Sequence, residues 1–197
     1  MPAPRETERR HSDEPPSNSR MAAFCVWPFF LVLCVSGCTQ VVRRASTQPA
    51  VEGISPPEYL DLIKARVTAP IGWVSRKIDD AGDASQIVWE SPTGHTAYGV
   101  IHFTLPLPVG HDLALWGFLV NMKKHEGEAT LLQKQWDPNL KCIRFVVMGG
   151  LYRIRSNLFV NGLEGWAIYA GTLRTEQINS EELKLAESAR EQTLIGR

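Results

Sequence analysis

The segment "KCIRFVVMGGLYRIRSNLFVNGLEGWAIYAGTLR", residues 141 to 174, decides the fold of this chain. It contains three runs rich in β-branched and aromatic residues, separated by glycine-bearing turns of a few residues. Links this short can join only antiparallel neighbours. Because "EATLLQKQW", residues 128 to 136, precedes them with the same character, the C-terminal third is predicted to form an antiparallel sheet.

The turn between the first two of these runs contains the glycine pair at 149 and 150. If the pair forms a two-residue turn, Val147 faces Tyr152 and Phe145 faces Ile154 on one apolar side of the sheet. The pair lies between strands and not before a helix, so a hairpin turn explains it and no phosphate site is assigned to it.

The opposite side of this hairpin carries three arginines, Arg144, Arg153 and Arg155. Guanidinium groups lose hydration against a low-dielectric layer unless carboxylates pair with them. Candidate partners lie on the closing helix: Glu181, Glu182, Glu187 and Glu191. Two interpretations stay open, namely ion pairs that support the fold, or a face that binds an anionic ligand or a protein partner.

Upstream of the sheet, "SQIVWESPTGHTAYGVIHFTLPLP" predicts strands at 86 to 91 and 96 to 104, joined as a hairpin by a turn with proline and glycine. "HDLALWGFLVNMKKHEG" then predicts a helix that Asp112 caps at its start and Gly127 at its end. Apolar residues for packing recur along it at helical spacing: Leu115, Phe118, Leu119 and Met122.

Two further helices are predicted at the ends of the folded body. "SPPEYLDLIKARV" has Ser55 as a possible N-cap and predicts a short helix to about Val67. "SEELKLAESAREQTL" predicts a closing helix that starts from Asn179 or Ser180. The fold class that follows is α+β, an antiparallel β-sheet flanked by helices.

The order of these elements, with a "P-x-G-W" break at 70 to 73, resembles the α/β/α sandwich of the PsbP family over residues 55 to 197. That family includes an extrinsic photosystem II subunit, a Ran-binding nucleotide-release factor and many small bacterial lipoproteins. Its scaffold serves unrelated tasks, mostly protein binding. The PsbP-like resemblance therefore implies a fold and transfers no residue role.

Ahead of the folded body, a polar, arginine-bearing segment at 1 to 20 precedes the apolar run "MAAFCVWPFFLVLCVSG" at 21 to 37. The run is short for a membrane span and is interrupted by Pro28. It leads into "VSGC", residues 35 to 38, which resembles the lipobox of bacterial lipoproteins. In that motif the small residues admit an extended backbone to the peptidase, and the cysteine, here Cys38, receives the lipid.

The lipobox implies an envelope protein held in the lipid membrane through acylated Cys38, with either Met1 or Met21 as its start. Enterobacterial lipoproteins retained in the inner membrane tend to carry Asp after the cysteine, so Thr39 favours the outer membrane. Three parts are expected: a signal peptide with an N-terminal extension at 1 to 37, a lipidated N-terminus and tether at 38 to 54, and a single α+β domain at 55 to 197.

Composition excludes some classes of partner and of scaffold. The 197 residues carry 21 Lys plus Arg and 21 Asp plus Glu, so the formal net charge is zero and no nucleic-acid partner is expected. Beyond Cys38 the only cysteine is Cys142, which leaves the body no internal disulfide framework.

No catalytic, cofactor or metal motif is recognised in the body. A zinc site that combines Cys142 with the body's histidines stays an alternative, although none of them pairs at ligand spacing: His95, His102, His111 and His125. Asp79, Asp80 and Asp83 lie in a stretch with glycine that is more typical of a solvated turn than of a cation site. Five tryptophans are predicted to lie mostly in the core or at its edge: Trp73, Trp89, Trp116, Trp136 and Trp166.

Two classes of function remain. The first is a non-enzymatic lipoprotein whose domain binds another envelope protein or helps an assembly. The alternative is a lipid-tethered enzyme or small-ligand receptor with a pocket that the sequence does not reveal. A deep cleft that gathers His102, Arg153, Arg155 and a carboxylate favours the alternative, and a sandwich without a pocket favours the first.

Overall fold

A computed structural model describes residues 52–80, 84–174 and 178–196. These residues form two helices, α1 (His111–Glu126) and α2 (Ser180–Gln192). They also form ten strands: β1 (Glu58–Leu60), β2 (Ala65–Val67), β3 (Val74–Asp80), β4 (Ala84–Glu90), β5 (Thr96–Thr104), β6 (Ala129–Asp137), β7 (Cys142–Gly149), β8 (Tyr152–Asn161), β9 (Glu164–Leu173) and β10 (Leu194–Ile195).

The strands divide into a large and a small antiparallel sheet. Seven strands form the large sheet in the order β3-β4-β5-β9-β8-β7-β6, and three form the small sheet in the order β1-β2-β10. The predicted β4–β5 hairpin and the predicted C-terminal strands are confirmed. The α+β class is confirmed as well, although strands make up most of the fold.

Each face of the large sheet carries its own apolar core. Helix α1 contributes Leu115 and Met122 to one core, together with Phe145 and Val147 of β7. The other core joins residues of α2 and of the small sheet to large side chains of the central strands: Ala186, Ala189, Ile63, Ala65, Val67, Tyr98 and Ile168. We call the two faces the α1 side and the α2 side.

The helix ends follow local rules with one exception. Gly127 ends α1 in a left-handed conformation with φ of 76°, as predicted. The start of α1 differs, because Gly110 is the N-cap and Asp112 lies in the first turn. At α2 the Asn179 side chain accepts hydrogen bonds from the first backbone N–H groups, which confirms the predicted start.

The predicted helix from Ser55 to Val67 is wrong. Its residues form β1, a 3-10 turn at Asp61–Ile63 and β2. Ser55 does not cap a helix, because its N–H donates to the Ala69 carbonyl at 2.9 Å and its hydroxyl accepts from the Ala69 N–H at 3.0 Å. Tertiary pairing of this segment therefore overrides the local helix signal.

The register predicted for the β7–β8 hairpin is also wrong, by two residues. Val147 lies opposite Ile154, and the strands are joined by a wider turn than the glycine pair alone would form. The C-terminal end of α1 fills the space at this turn, since a Cβ on Gly150 would lie 2.4 Å from the Glu126 carbonyl oxygen. A shift of two residues keeps every side chain on its side of the sheet, so the three arginines remain together on the α2 side.

Candidate functional site

The arginines on the α2 side meet carboxylates of α2 and of β6. Arg144 places Nε 2.9 Å from Asp137 Oδ2 and Nη2 3.2 Å from Glu191 Oε2. Arg155 pairs with Glu187. Arg153 is exposed and makes no ion pair within the described residues. Two of the three arginines are thus held between the sheet and α2.

We expect Arg155→Ala to lower the free energy of unfolding and Arg153→Ala to leave it nearly unchanged. The Arg155 and Glu187 side chains are 39% and 29% exposed, so their coupling should be about 0.2–1 kcal/mol. A double-mutant cycle with Glu187→Ala, followed by urea unfolding, measures that coupling. An equal loss in Arg153→Ala would contradict the assignment.

The histidines do not converge on Cys142. Within 52–80, 84–174 and 178–196 no three His, Cys, Asp or Glu side chains are placed to hold a metal ion. Cys142 is fully buried in the α2-side core. His111 instead contacts Trp136, with ring centroids 4.9 Å apart. In the stretch that was predicted to be a turn, the backbones of Asp79 and Asp80 belong to β3. Their side chains and the whole of Asp83 lie outside the described residues.

An open cleft of about 370 Å³ lies where the small sheet meets the ends of β5 and β9. Its lining comes from the small sheet with its adjoining turn and from β9: Tyr59, Asp61, Lys64, Glu164, Trp166 and Gly196. Lys64 and Glu164 form an ion pair across it. Lys64 ends the 3-10 turn with a left-handed backbone, φ of 47°, which is uncommon for a residue with a side chain.

His102 lies behind Glu164. Its side chain is only 8% exposed, and its Nε2 lies 3.6 Å from Glu164 Oε1. That nitrogen is buried and has no hydrogen-bond partner among the described residues. The Trp166 ring packs at 5.2 Å from the imidazole and donates its own N–H to the Ile63 carbonyl at 2.9 Å. Trp166 thus lines the cleft, whereas His102 packs against it outside the lining.

The charges of the cleft favour a neutral His102 and an ionised Glu164. Burial lowers the pKa of His102, the Lys64 ammonium lowers it further, and Glu164 opposes both. The hydrogen bond from Lys64 lowers the pKa of Glu164. The cleft presents the Lys64 ammonium and two carboxyl groups, those of Glu164 and Asp61, while the neutral imidazole of His102 lies behind Glu164.

We expect His102 to titrate below its ordinary pKa of about 6.5 in the folded chain. Because the unfolded chain then takes up the proton first, the contribution of His102 to stability is present above that value and is lost as the pH falls through the folded pKa. Imidazole nitrogen shifts measured by NMR against pH test this directly. A His102 midpoint at or above 6.5 would contradict it.

The cleft differs from the one that the sequence suggested. In the register of the large sheet, His102 lies opposite Trp166 of β9. Arg155 lies opposite Ala170, which is four residues further along the same strand. That separation is about 13 Å, so the arginines do not reach the cleft. The sequence did not indicate Lys64 as a site residue, because it lay within a predicted helix. It did not indicate Glu164 either, because a carboxylate next to a turn is common and no motif surrounds this one.

A second candidate site is a group of exposed apolar side chains on two neighbouring elements of the α1 side, α1 and β6. We call it the α1–β6 surface and define it by Leu113, Trp116 and Val120 of α1 with Leu131 and Trp136 of β6. Trp116 is 59% exposed and Trp136 48% exposed. The helix residues follow helical spacing on the face turned away from the core. Lys134 of β6 joins the two elements through Asp112, with 2.5 Å between Nζ and Oδ1.

The tryptophan prediction holds for three of the five. Trp89 and Trp166 are buried, and Trp73 packs partly buried against the α2-side core. Trp116 and Trp136 are the exceptions, and both belong to the α1–β6 surface. Neither α1 nor α2, in the part of the chain that the structure describes, is long and apolar enough to cross a bilayer.

Comparison with known proteins shows the fold and leaves the activity open. No protein-family model matches the chain, and no curated protein matches it. Among solved structures, the cyanobacterial PsbP (CyanoP) from Synechocystis matches with a TM-score of 0.52 at 11% identity, over 76% of this chain and 97% of that one. A protein from Bacteroides thetaiotaomicron matches with a TM-score of 0.36 at 11% identity, over 66% of this chain and 46% of that one, which is too weak to support an argument. The body therefore has a PsbP-like fold.

Proposed function

We propose that this protein is a lipoprotein of the bacterial envelope, anchored at acylated Cys38, whose folded domain works by binding another envelope protein and not by catalysis. The anchor rests on the apolar run and the "VSGC" motif at 35 to 38. An outer-membrane location is favoured by Thr39. The binding role rests on the structure of the body.

The α1–β6 surface is the observation that carries the binding role. Large apolar side chains scattered singly are normal on a protein, whereas a group of them with two tryptophans is typical of a site that a partner covers. Tryptophan is enriched at the centres of protein interfaces, because its ring buries a large area while its N–H can keep a partner.

The position of this surface favours a protein partner over the membrane. The first described residues lead into β1, whose small sheet packs on the α2 side, while the α1–β6 surface lies on the opposite side. Thirteen residues, 39 to 51, separate Cys38 from Glu52, and they span at most about 45 Å. The chain therefore enters the domain on the α2 side, and the α1–β6 surface lies on the side away from that point of entry, which supports a protein partner there.

Charge next to the surface limits the partner further. Lys123 and Lys124 are exposed in the last turn of α1, about one helical turn after Val120. A partner that covers the apolar residues would place its rim against these two ammonium groups. We therefore expect an envelope protein that offers an apolar patch with carboxylates at its edge.

Site-specific photocrosslinking in intact cells tests the binding role. A photoreactive phenylalanine derivative in place of Trp116 should give one discrete adduct with an envelope protein. The matched control is Val74 on β3, which is 63% exposed at the opposite edge of the large sheet and should give none. The paired changes Lys123→Glu and Lys124→Glu should weaken the adduct severalfold. Equal adducts at positions 116 and 74, or no adduct at position 116, would refute the proposal.

A further inference from the structure

The two most exposed large apolar side chains among the described residues lie at one turn. Ile71 is 66% exposed and Val74 is 63% exposed. They flank Gly72 and Trp73 in the segment that links the small sheet to β3. We call residues 70–74 the entry turn, because the first described residues of the chain pair with it.

Hydrogen bonds and packing hold the entry turn in place. The Ile71 N–H donates to the Gly53 carbonyl at 2.9 Å, and the Trp73 N–H donates to the Pro70 carbonyl at 3.4 Å. The Trp73 ring packs partly buried against the α2-side core. A backbone fixed in this way keeps the side chains of Ile71 and Val74 in solvent, where they have no core to cover them.

The entry turn is also the part of the domain that the anchor confines most closely. Residues 39 to 51 separate Cys38 from Glu52 and span at most about 45 Å. With acylated Cys38 in a bilayer, this limit applies to the chain at Glu52 and to the turn beside it, whereas the far side of the domain can lie further away. Such confinement corresponds to a local concentration on the order of millimolar, so a weak attraction to lipid is sufficient.

The size of the entry turn favours lipid over a protein partner. A specific protein interface buries about 800 Å² on each partner, which is more than the side chains of one turn offer. A bilayer surface can instead accept single apolar side chains. Tryptophan is enriched at the boundary between membrane and water, which suits the partly buried Trp73 between Ile71 and Val74.

The charges next to the entry turn balance each other. Arg76 pairs with Glu90, with 2.9 Å between Nη2 and Oε2. The other charged residues close to the turn in the chain are Lys77, which is exposed on β3, and Glu52, which is exposed ahead of Gly53. One cation and one anion remain, so contact with a bilayer does not require anionic lipid.

We infer that the entry turn contacts the lipid surface that holds the protein, with the Ile71 and Val74 side chains inserted between lipid headgroups. The inference rests on the acylation of Cys38 proposed above and adds a second, non-covalent contact with the membrane. Because β3 and β6 form opposite edges of the large sheet, contact at the start of β3 directs the β6 edge away from the bilayer. The α1–β6 surface is then presented to a protein partner.

A fluorescent label at position 71 tests the inference in the acylated protein, purified from membranes and reconstituted into phosphatidylcholine vesicles. In a chain that begins at acylated Cys38, the only other cysteine is the buried Cys142, so Ile71→Cys is labelled selectively. Leu113→Cys is the matched control, because Leu113 is 55% exposed and belongs to the α1–β6 surface. Lipids that carry a nitroxide should quench the label at position 71 severalfold more than the label at position 113.

A second pair of variants separates insertion from mere proximity. Val74→Ser in the chain labelled at position 71 should lower the quenching, because a hydroxyl group replaces an inserted apolar side chain. Leu163→Ser is the control, since Leu163 is an exposed apolar residue in the turn between β8 and β9. It should leave the quenching at position 71 unchanged.

Three results would overturn the inference. Equal quenching at positions 71 and 113 in an acylated chain would exclude the lipid contact and leave the anchor intact. A label at position 71 that is shielded from water but not quenched by lipid would show that a protein, such as a second copy of this chain, covers the turn. A purified chain whose mass shows no acyl group would remove the anchor and this contact together. The crosslinking at position 116 is judged separately from all three.

Discussion

Replacement of Cys38 by serine is expected to move the protein from the detergent phase into the aqueous phase when membranes are partitioned. Each buried methylene of an acyl chain contributes about 0.8 kcal/mol, so several chains together anchor a protein that one chain would hold only marginally. The serine variant cannot receive these chains. Intact mass of the parent protein should correspond to a chain that begins at Cys38 and carries acyl groups.

Cys34→Ser provides the control for this change. Cys34 lies in the same apolar run but precedes the small residues of the lipobox, so its replacement should leave both lipidation and phase behaviour unchanged. An unmodified chain that keeps residues 1 to 37 and stays membrane-bound would disprove the assignment of Cys38. Both cysteines lie outside the described residues, so the test depends on chemistry and not on the fold.

Gly165→Ala is expected to lower the free energy of unfolding by about 1–3 kcal/mol. A Cβ at this position of β9 would lie 2.2 Å from ring atoms of Phe103. That ring belongs to the α1-side core and is only 8% exposed, so it cannot turn away without opening a void. Urea unfolding measures the loss.

Gly171→Ala is the matched control on the same strand and on the same side of the sheet. Its Cβ would lie 3.6 Å from Ile154 Cγ1, an ordinary contact distance. The change should therefore be close to neutral, or slightly stabilising because alanine restricts the unfolded chain. Similar losses at positions 165 and 171 would show that the close approach of Phe103 has no special cost.

The strands were predictable because their signal is local. Runs of β-branched and aromatic residues with short turns fix both the existence and the antiparallel pairing of β7, β8 and β9. The register between β7 and β8 could not be predicted from the local sequence. It depends on the end of α1, which packs into their turn so that Gly150 lies against the Glu126 carbonyl. The helix predicted from Ser55 to Val67 was wrong for the same reason, because Ser55 forms hydrogen bonds with the distant Ala69 instead of capping a helix.

The candidate sites also differ in how much of each could be predicted from the sequence. Helical spacing indicated the buried residues of α1, and Leu115 and Met122 are indeed in the core. The same helix is apolar on its outer face as well, and spacing alone does not show that Trp116 would stay uncovered. The cleft could not be predicted from the sequence, because Lys64 and Glu164 are 100 residues apart. Only the packing of the small sheet on β9 brings them together.

The small sheet also determines where mechanical load enters the domain. If Cys38 holds the protein in a membrane, a pull on the tether reaches the segment that leads into β1, and β1 itself pairs with β2 through only three residue pairs. The bonds between Gly53 and Ile71 and between Ser55 and Ala69 lie ahead of β1 and carry the load first. Tension would therefore open this short N-terminal segment before it reached the seven-stranded sheet. The α1–β6 surface would keep its shape under a load that had already altered the cleft at Lys64.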